Sequence, residues 1–151
     1  MSSYDVRVKT FDQLDARTAY RIWALRESVF VVEQECPYQE LDGRDLEPGT
    51  RHVWASSGDG VPVAYLRVLD DGEHVRIGRV LVGRSHRGRG LAGELMRTAL
   101  GLVGTRASRL DAQSHLAGWY TGFGYAQDGA EFLDDGIPHV PMARPASRPA
   151  S

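Results

Sequence analysis

The segment RSHRGRGLAGELM, residues 84–96, combines arginines and glycines where an apolar strand pattern gives way to a helical one. The first turn of a helix has backbone N–H groups without intrahelical partners and carries a partial positive charge. Glycines there leave the N–H groups open to the oxygens of an anion, and arginines add attraction. The residues concerned are Arg84, Arg87, Gly88, Arg89, Gly90 and Gly93. They predict a phosphate or pyrophosphate site, and a turn with a solvated basic surface is the alternative.

Two common nucleotide-binding motifs do not explain this segment. A Walker loop requires Gly-Lys-Ser/Thr, and the only lysine of the chain is Lys9. The spacing Gly88-x-Gly90-x-x-Gly93 has the letters of a dinucleotide fingerprint, but it follows the fourth predicted strand instead of the first.

Hydrophobic periodicity predicts the elements that position the segment. Strands are expected at 4–10, 51–56, 61–69, 74–82 and 107–112, with a hairpin over 130–144 that turns at 135–136. Helices are expected from an N-cap at Asp12 to about residue 30, at 91–103 and at 115–123. The long connection 33–50 has the length of a functional loop. The order of the elements favours an α/β domain with a mixed sheet.

The composition bounds the class of protein. The 151 residues suffice for one domain, which we expect at 1–144 with a mobile tail at 145–151. The net charge is −2, and nucleic acid is not an expected partner. An apolar run long enough to span a membrane is lacking, and the first ten residues lack a signal-peptide pattern, so we expect a cytoplasmic protein that does not bind membranes.

Charge is separated along the chain. Residues 76–109 contain eight arginines and one acid, Glu94, whereas residues 5–47 contain ten acids and six bases. Two interpretations remain open. The blocks are solvated faces that differ by chance, or one side of the domain receives an anionic ligand and the other a cationic one.

The stretch VGRSHRGRGLAGELM resembles the acyl-CoA-binding signature of the GCN5-related N-acetyltransferases (GNAT), Arg/Gln-x-x-Gly-x-Gly/Ala. Arg87, Gly90 and Ala92 occupy its defined positions. The resemblance implies that the turn binds the pyrophosphate of coenzyme A and that the preceding strand pairs with the pantetheine arm. The cofactor-binding residues implied are Val80, Leu81, Val82, Arg87, Gly88, Arg89, Gly90, Leu91, Ala92, Gly93 and Gln113.

The second half of the chain carries the resemblance further. DAQSHLAGWYTGFGY resembles the family's Asn-x-x-Ala-x-x-x-Tyr segment, with Tyr120 at the tyrosine, Gln113 in place of asparagine and Leu116 in place of alanine. LRESVFVVEQECPYQELDGRDL, IGRVLV, AQSHL and DDGIPHVPMAR are similar to the ElaA-like subgroup. The implied fold is a single-domain GNAT fold, in which helices flank a mixed, mostly antiparallel central sheet.

The implied reaction is acetyl transfer from acetyl-CoA to a small-molecule or peptide amine by direct attack. Tyr120 would protonate the departing thiolate, and a backbone N–H near Val82 would polarise the thioester carbonyl. By resemblance, the loop with Glu33, Gln34, Tyr38 and Asp42 contacts the acceptor.

The general base is not assigned by the sequence, because the strand 74–82 contains no carboxylate. The candidates are Glu33, Glu35, His52, Glu131 and His139. A metal is not expected, since the five histidines lack paired ligand spacing.

Three alternatives accompany this interpretation. One is an acyl-CoA-binding regulatory module without turnover, and a remote one is an acyl-homoserine-lactone-type synthase, which LRESVFVVEQ faintly resembles. The third is nucleic-acid binding by the arginine cluster, which the net acidity disfavours. The protein is expected to be a monomer or a homodimer.

Overall fold

The computed structural model describes residues 4–35 and 40–147, and within these ranges eight strands form one sheet. The strands are β1 (Asp5–Lys9), β2 (Arg51–Ser56), β3 (Pro62–Asp70), β4 (His74–Val82), β5 (Ala107–Gln113), β6 (Ala126–Gln127), β7 (Phe132–Asp134) and β8 (Ile137–Arg144). The α-helices are α1 (Ala16–Glu27), α2 (Leu91–Val103) and α3 (Ala117–Thr121). A π-helical turn, Ser28–Glu33, extends α1.

The sheet is mixed and mostly antiparallel, as predicted. Its order is β1-β2-β3-β4-β5-β8-β6, and β7 pairs with β8. Only β4 and β5 are parallel, and α2 lies in the crossover that joins them, as a parallel connection requires.

The two parallel strands separate soon after they meet. Their ladder contains three pairs and ends at Arg76↔Arg109, although β4 continues to Val82 and β5 to Gln113. On its other side β4 stays paired with β3, through a bulge where Tyr65 opposes Leu81 and Arg67 opposes Gly78. Arg79 lies in this bulge with a φ of 56°, a left-handed conformation that is uncommon outside glycine. The result is a gap in the middle of the sheet.

Helices cover both faces of the sheet. Successive side chains of a strand point to opposite faces, so Val53 and Leu66 pack with Leu95 of α2, whereas Trp54 and Tyr65 pack with Ile22 of α1. The α2 face has the larger core, and Tyr120 of α3 belongs to it. The gap between β4 and β5 connects the two faces.

Most predicted elements are confirmed, and two helix starts are wrong. The helix expected at 115–123 is Ala117–Thr121, preceded by a 3₁₀ turn at Ser114–Leu116. The helix at 91–103 and the turn at Asp135–Gly136 are found where the sequence predicts them. The predicted N-cap at Asp12 lies instead in a separate 3₁₀ turn, Phe11–Gln13, closed by a hydrogen bond from the Thr10 amide to Gln13. The α-helix therefore begins later, capped by Asp15, which accepts a 2.7 Å hydrogen bond from the Thr18 amide.

The end of β8 at Arg144 coincides with the predicted end of the domain. Beyond it, the amide of Ser147 donates to the carbonyl of Thr105 at 2.9 Å. The domain boundary and the mobility expected for 145–151 stay predictions.

Candidate active site

The glycine–arginine turn leaves the start of α2 open. Gly90 is the N-cap, with φ 74° and no side chain to bond the first turn, and Gly88 has φ 78°. Within the part of the chain that the structure describes, the amides of Leu91, Ala92 and Gly93 have no hydrogen-bond partner. Three N–H groups are therefore directed outward from a helix N-terminus, the geometry that binds phosphate oxygens.

Glycine is required at two of the three predicted positions. Gly88 and Gly90 have positive φ values that a β-carbon would strain. Gly93 has an ordinary helical conformation, and a β-carbon there would contact only the mobile guanidinium of Arg97, at 3.3 Å.

A cavity of about 390 Å³, here called the cradle, surrounds this turn. It is lined by Val82, His86, Arg87, Gly88, Arg89, Gly90, Leu91, Ala92, Gly93, Arg97, Trp119 and Phe123. The predicted cofactor-binding residues do not include four of these, His86, Arg97, Trp119 and Phe123. Arg97 lies one helical turn beyond Gly93, a spacing visible in the sequence, whereas Trp119 and Phe123 reach the cradle only through the packing of α3.

Arg87 has an unexpected partner. Its guanidinium donates two hydrogen bonds to the carboxylate of Glu33, at 2.8 and 2.6 Å, and a third, at 3.1 Å, to the carbonyl of Val82. The hydrogen bond and charge of Arg87 lower the pKa of the Glu33 carboxyl. The π-helical turn that ends at Glu33 is thereby held against the cradle.

A second cavity, here called the cleft, occupies the gap between β4 and β5 and has a volume of about 210 Å³. Gly78, Arg79 and Val80 line it from β4, and Asp111 and Gln113 from β5. Its other lining residues include Gln34, Arg76, Tyr120, Asp134, Asp135 and His139. Of the predicted strand residues, Val80 lines the cleft and Val82 the cradle, while Leu81 is buried against α1.

Tyr120 reaches the cleft from the α2 face. Its side chain is buried, with edge-on ring contacts to Trp119 and Tyr125. Among the described residues its hydroxyl has no hydrogen-bond partner. Burial raises the pKa of Tyr120 to about 12, so the phenol keeps its proton at neutral pH.

The residues predicted to contact an acceptor are dispersed. Gln34 lines the cleft, and Glu33 lies at the cradle, bound to Arg87. Asp42 accepts a 2.6 Å hydrogen bond from Arg67, which lowers the pKa of its carboxyl well below the usual range. Tyr38 lies outside the described residues. An acceptor-binding role for these residues stays a prediction.

Part of the charge of the two blocks is paired inside the fold. Acids of the block 5–47 pair with arginines of the block 76–109, with Arg26 of their own block and with Arg67 of β3. The pairs include Glu33–Arg87 (2.6 Å), Glu40–Arg79 (2.9 Å), Asp42–Arg67 (2.6 Å) and Asp45–Arg26 (2.7 Å). Carboxylates that line the cleft come instead from β5 and the β7–β8 hairpin, as Asp111, Asp134 and Asp135.

The candidate bases also differ in position. His52 is fully buried, bonded to Tyr65 at 2.5 Å and to the Asp45 carbonyl at 3.1 Å, and burial lowers its pKa. Glu131 accepts a hydrogen bond from Ser114 at 2.8 Å, and Glu35 is outside the cleft lining. Of the five candidates only His139 lines the cleft.

Within 4–35 and 40–147, no three His, Cys, Asp or Glu side chains converge in a group that could hold a metal ion. No helix in these ranges has both the length and the apolar character needed to cross a membrane.

The fold is the GNAT fold, an α/β domain in which helices flank a mixed, mostly antiparallel sheet. A family model described as an acetyltransferase (GNAT) domain matches residues 16–145, and the chain belongs to this family.

Similar proteins indicate the subgroup of the family to which the chain is related. The chain is 51% identical over 138 residues to a UPF0039 protein of Mycobacterium tuberculosis, covering 89% of this chain and 88% of that protein. It is 40% identical over 139 residues to protein ElaA of Escherichia coli, covering 87% and 90%.

Two solved structures agree with this placement. The structure of E. coli ElaA matches with a TM-score of 0.85 and 37% identity, covering 93% of this chain and 99% of that one. An acyl-CoA N-acyltransferase from Pseudomonas aeruginosa matches with a TM-score of 0.88 and 40% identity, covering 94% and 99%. The resemblance to the ElaA-like subgroup is confirmed.

Proposed function

We propose that the protein is an N-acetyltransferase that transfers the acetyl group of acetyl-CoA to an amine by direct attack. The observation that carries this proposal is that the cradle and the cleft lie along the same gap in the sheet. An anion cradle with unpartnered amides lies at one end of the gap between β4 and β5, and a protonated buried phenol, Tyr120, lines the gap itself.

The cradle suits the pyrophosphate of coenzyme A. The amides of Leu91, Ala92 and Gly93 are open to its oxygens, and Gly88 and Gly90 allow the close approach. Arg87, Arg89 and Arg97 supply positive charge around them.

The gap suits the pantetheine arm. Past Arg76 the edge of β4 that faces β5 has no strand partner among the described residues, so its backbone groups are available to the amides of the arm. Val80 lines the cleft and Val82 the cradle, which sets the path of the arm from one cavity to the other. Gln113 faces the same gap from β5.

The reaction follows from these positions. The amine nitrogen attacks the thioester carbon, the C–N bond forms and the C–S bond breaks. The departing thiolate takes the proton of the Tyr120 hydroxyl, which burial keeps protonated at neutral pH. The amine loses a proton, and the phenol is reprotonated at the end of the cycle. No acyl-enzyme is required.

Acetyl-CoA binding is tested by thermal unfolding with two matched variants of α2. Gly90→Ala places a β-carbon on a left-handed residue, which costs about 1–2 kcal/mol, and distorts the cradle. We expect its affinity for acetyl-CoA to fall about tenfold. Gly101→Ala, at a position of the same helix where a β-carbon has open space, is expected to bind like the wild type.

Turnover is tested separately, by release of free coenzyme A thiol when a panel of amines is added. The proposal predicts stabilisation by acetyl-CoA and thiol release with at least one class of amine. Absence of stabilisation would contradict the cradle assignment. Stabilisation by acetyl-CoA without thiol release across a broad panel of amines would favour the regulatory module. The lack of a carboxylate in β4 is the observation that favours this alternative.

A further inference from the structure

An amine that attacks a thioester must lose a proton, and β4 provides no carboxylate to receive it. This inference rests on the proposed function and concerns that proton. The titratable side chains that line the cleft are Arg67, Arg76, Arg79, Asp111, Tyr120, Asp134, Asp135 and His139. Only the carboxylates and the imidazole can act as bases at neutral pH.

His139 projects from the face of the sheet opposite to Tyr120. Its neighbour Val140 packs into the α2-side core together with Tyr120, and side chains alternate along β8, so His139 points to the other face. It lies opposite Gln113 of β5 and opposite Phe132 of β7. Both His139 and Tyr120 line the cleft, one from each side of the gap.

The hydrogen bonding of His139 fixes its tautomer. The Nδ1 atom lies 2.8 Å from the backbone carbonyl oxygen of Ile137. A carbonyl can only accept, so Nδ1 carries the hydrogen, and in the neutral ring Nε2 keeps its lone pair. The ring also stacks on Phe132, with an interplanar angle of 22° and a centroid separation of 5.8 Å. The imidazole is therefore held with one orientation and one basic nitrogen.

The three carboxylates of the cleft are less suitable than His139 as acceptors of the amine proton. Asp111 lies 3.4 Å from the guanidinium of Arg76, and Asp134 and Asp135 are exposed at the hairpin turn. An imidazole is intrinsically a stronger base than a carboxylate, so it is better suited to remove a proton from an amine. The three carboxylates have another use, because they face the same cleft and stabilise the positive charge of an approaching amine and of an imidazolium.

We propose that Nε2 of His139 is the general base, which accepts the proton of the attacking amine directly or through one water. Nε2 first removes one proton from the ammonium form of the amine and passes it through water to solvent; as the C–N bond forms, the second N–H proton moves to Nε2 and the proton of Tyr120 moves to the thiolate. Transfer of a proton from the imidazolium through water back to the Tyr120 oxygen restores both groups. The acid and the base thus act on opposite sides of the acetyl group.

The central variant is His139→Asn. The asparagine amide can still donate to the Ile137 carbonyl in place of Nδ1, but it has no counterpart of Nε2. We expect kcat to fall by about 10²–10⁴-fold, with acetyl-CoA affinity within twofold of the wild type. Pro138→Ala, at the exposed neighbouring position of the same strand, is expected to keep kcat within twofold. An unchanged kcat in His139→Asn would overturn the assignment.

A second readout separates a base from a residue that only positions the acceptor. Trifluoroethylamine is largely unprotonated at neutral pH, whereas propylamine is almost fully protonated. Loss of a base is expected to slow acetylation of propylamine much more than that of trifluoroethylamine, and added imidazole is expected to restore part of the rate in His139→Ala. Equal losses for both amines without rescue would overturn the assignment.

A third readout does not depend on turnover, so it distinguishes failure of this inference from failure of the proposed function. Nitrogen-15 NMR of the wild-type protein with bound acetyl-CoA reports which ring nitrogen of His139 carries the hydrogen. The inference predicts the Nδ1–H tautomer with an unprotonated Nε2 near pH 8. The opposite tautomer would overturn it even if every amine tested proved inert.

Discussion

At the scale of single residues, the proposed chemistry depends on Tyr120, which lines the cleft, and on Arg87, which lines the cradle. Both residues belong to short local motifs of the sequence. The hydrogen-bonded ion pair between Arg87 and Glu33 joins residues 54 positions apart, so no local sequence pattern could predict it. Likewise, His139 stood out from the other candidate bases only once pairing with β5 and β7 placed it in the cleft.

Tyr120→Phe tests the acid. The variant keeps the ring contacts with Trp119 and Tyr125 and removes only the proton donor. We expect kcat to fall by about 10²-fold or more while the acetyl-CoA dissociation constant changes less than twofold. The control is Tyr125→Phe, whose hydroxyl instead bonds Ser108 at 2.7 Å. An unchanged rate in Tyr120→Phe would remove this residue from the mechanism.

Glu33→Gln tests the link between the π-helical turn and the cradle. In the proposed complex Glu33 competes with the pyrophosphate for the guanidinium of Arg87. Removing its charge is therefore expected to tighten acetyl-CoA binding by about two- to fivefold at low salt, the small effect of a solvent-screened ion pair. Isothermal titration calorimetry measures this change. Glu47→Gln, which removes one of the two carboxylate partners of Arg44, is the matched control. Weaker binding in Glu33→Gln would show that the ion pair persists in the complex.

At the scale of elements, hydrophobic periodicity predicted which segments are helices and which are strands. It did not predict where α1 begins or where the pairing of β3 and β4 is interrupted. The helix at 91–103 was predicted to the residue because its apolar stripe is regular. The start of α1 was misplaced because the hydrogen bond between Thr10 and Gln13 creates a separate turn. The bulge at Arg79, which opens the gap in the sheet, depends on how β3 and β4 pair. The sequence HVRIGRVLV alone is equally compatible with a regular strand without a bulge.

Arg26→Ala tests how the loop that ends at Leu46 is attached to α1. The Arg26 side chain is fully buried and binds Glu40 at 2.9 Å and Asp45 at 2.7 Å, and both carboxylates are almost fully buried. Removing the guanidinium leaves buried charges without this partner, and we expect a loss of about 3–5 kcal/mol in the free energy of unfolding, measured with urea. Arg17→Ala, at an exposed position of the same helix, is expected to change it by less than about 0.5 kcal/mol.

At the scale of the whole molecule, the order of the elements predicted the fold class, whereas the charge pattern did not predict the ion pairs. Separate acidic and basic blocks left open whether they form solvated faces or faces for opposite ligands, and part of that charge is paired across the fold, as in Glu40–Arg79. Sequence blocks report composition, whereas pairing depends on which strands and loops become neighbours. The carboxylates that line the cleft are Asp111, Asp134 and Asp135, which lie outside the acidic block.

These ion pairs predict the pH dependence of stability. Nearby arginines lower the pKa of Glu33, Asp42, Asp70 and Asp71 in the folded state. A carboxyl whose pKa is lowered by folding contributes stability above its unfolded pKa, near 4, and this contribution is lost as the pH falls through the folded value. We expect the free energy of unfolding to decline steadily from about pH 5 toward pH 2. A constant value over that range would contradict the pairing.

The most direct measurement is a crystal structure of the protein with acetyl-CoA. The proposed function predicts the pyrophosphate on the amides of Leu91, Ala92 and Gly93, the pantetheine arm in the gap between β4 and β5, and the thioester sulfur within hydrogen-bonding distance of the Tyr120 hydroxyl. A cofactor bound outside the gap, or a sulfur far from Tyr120, would contradict it.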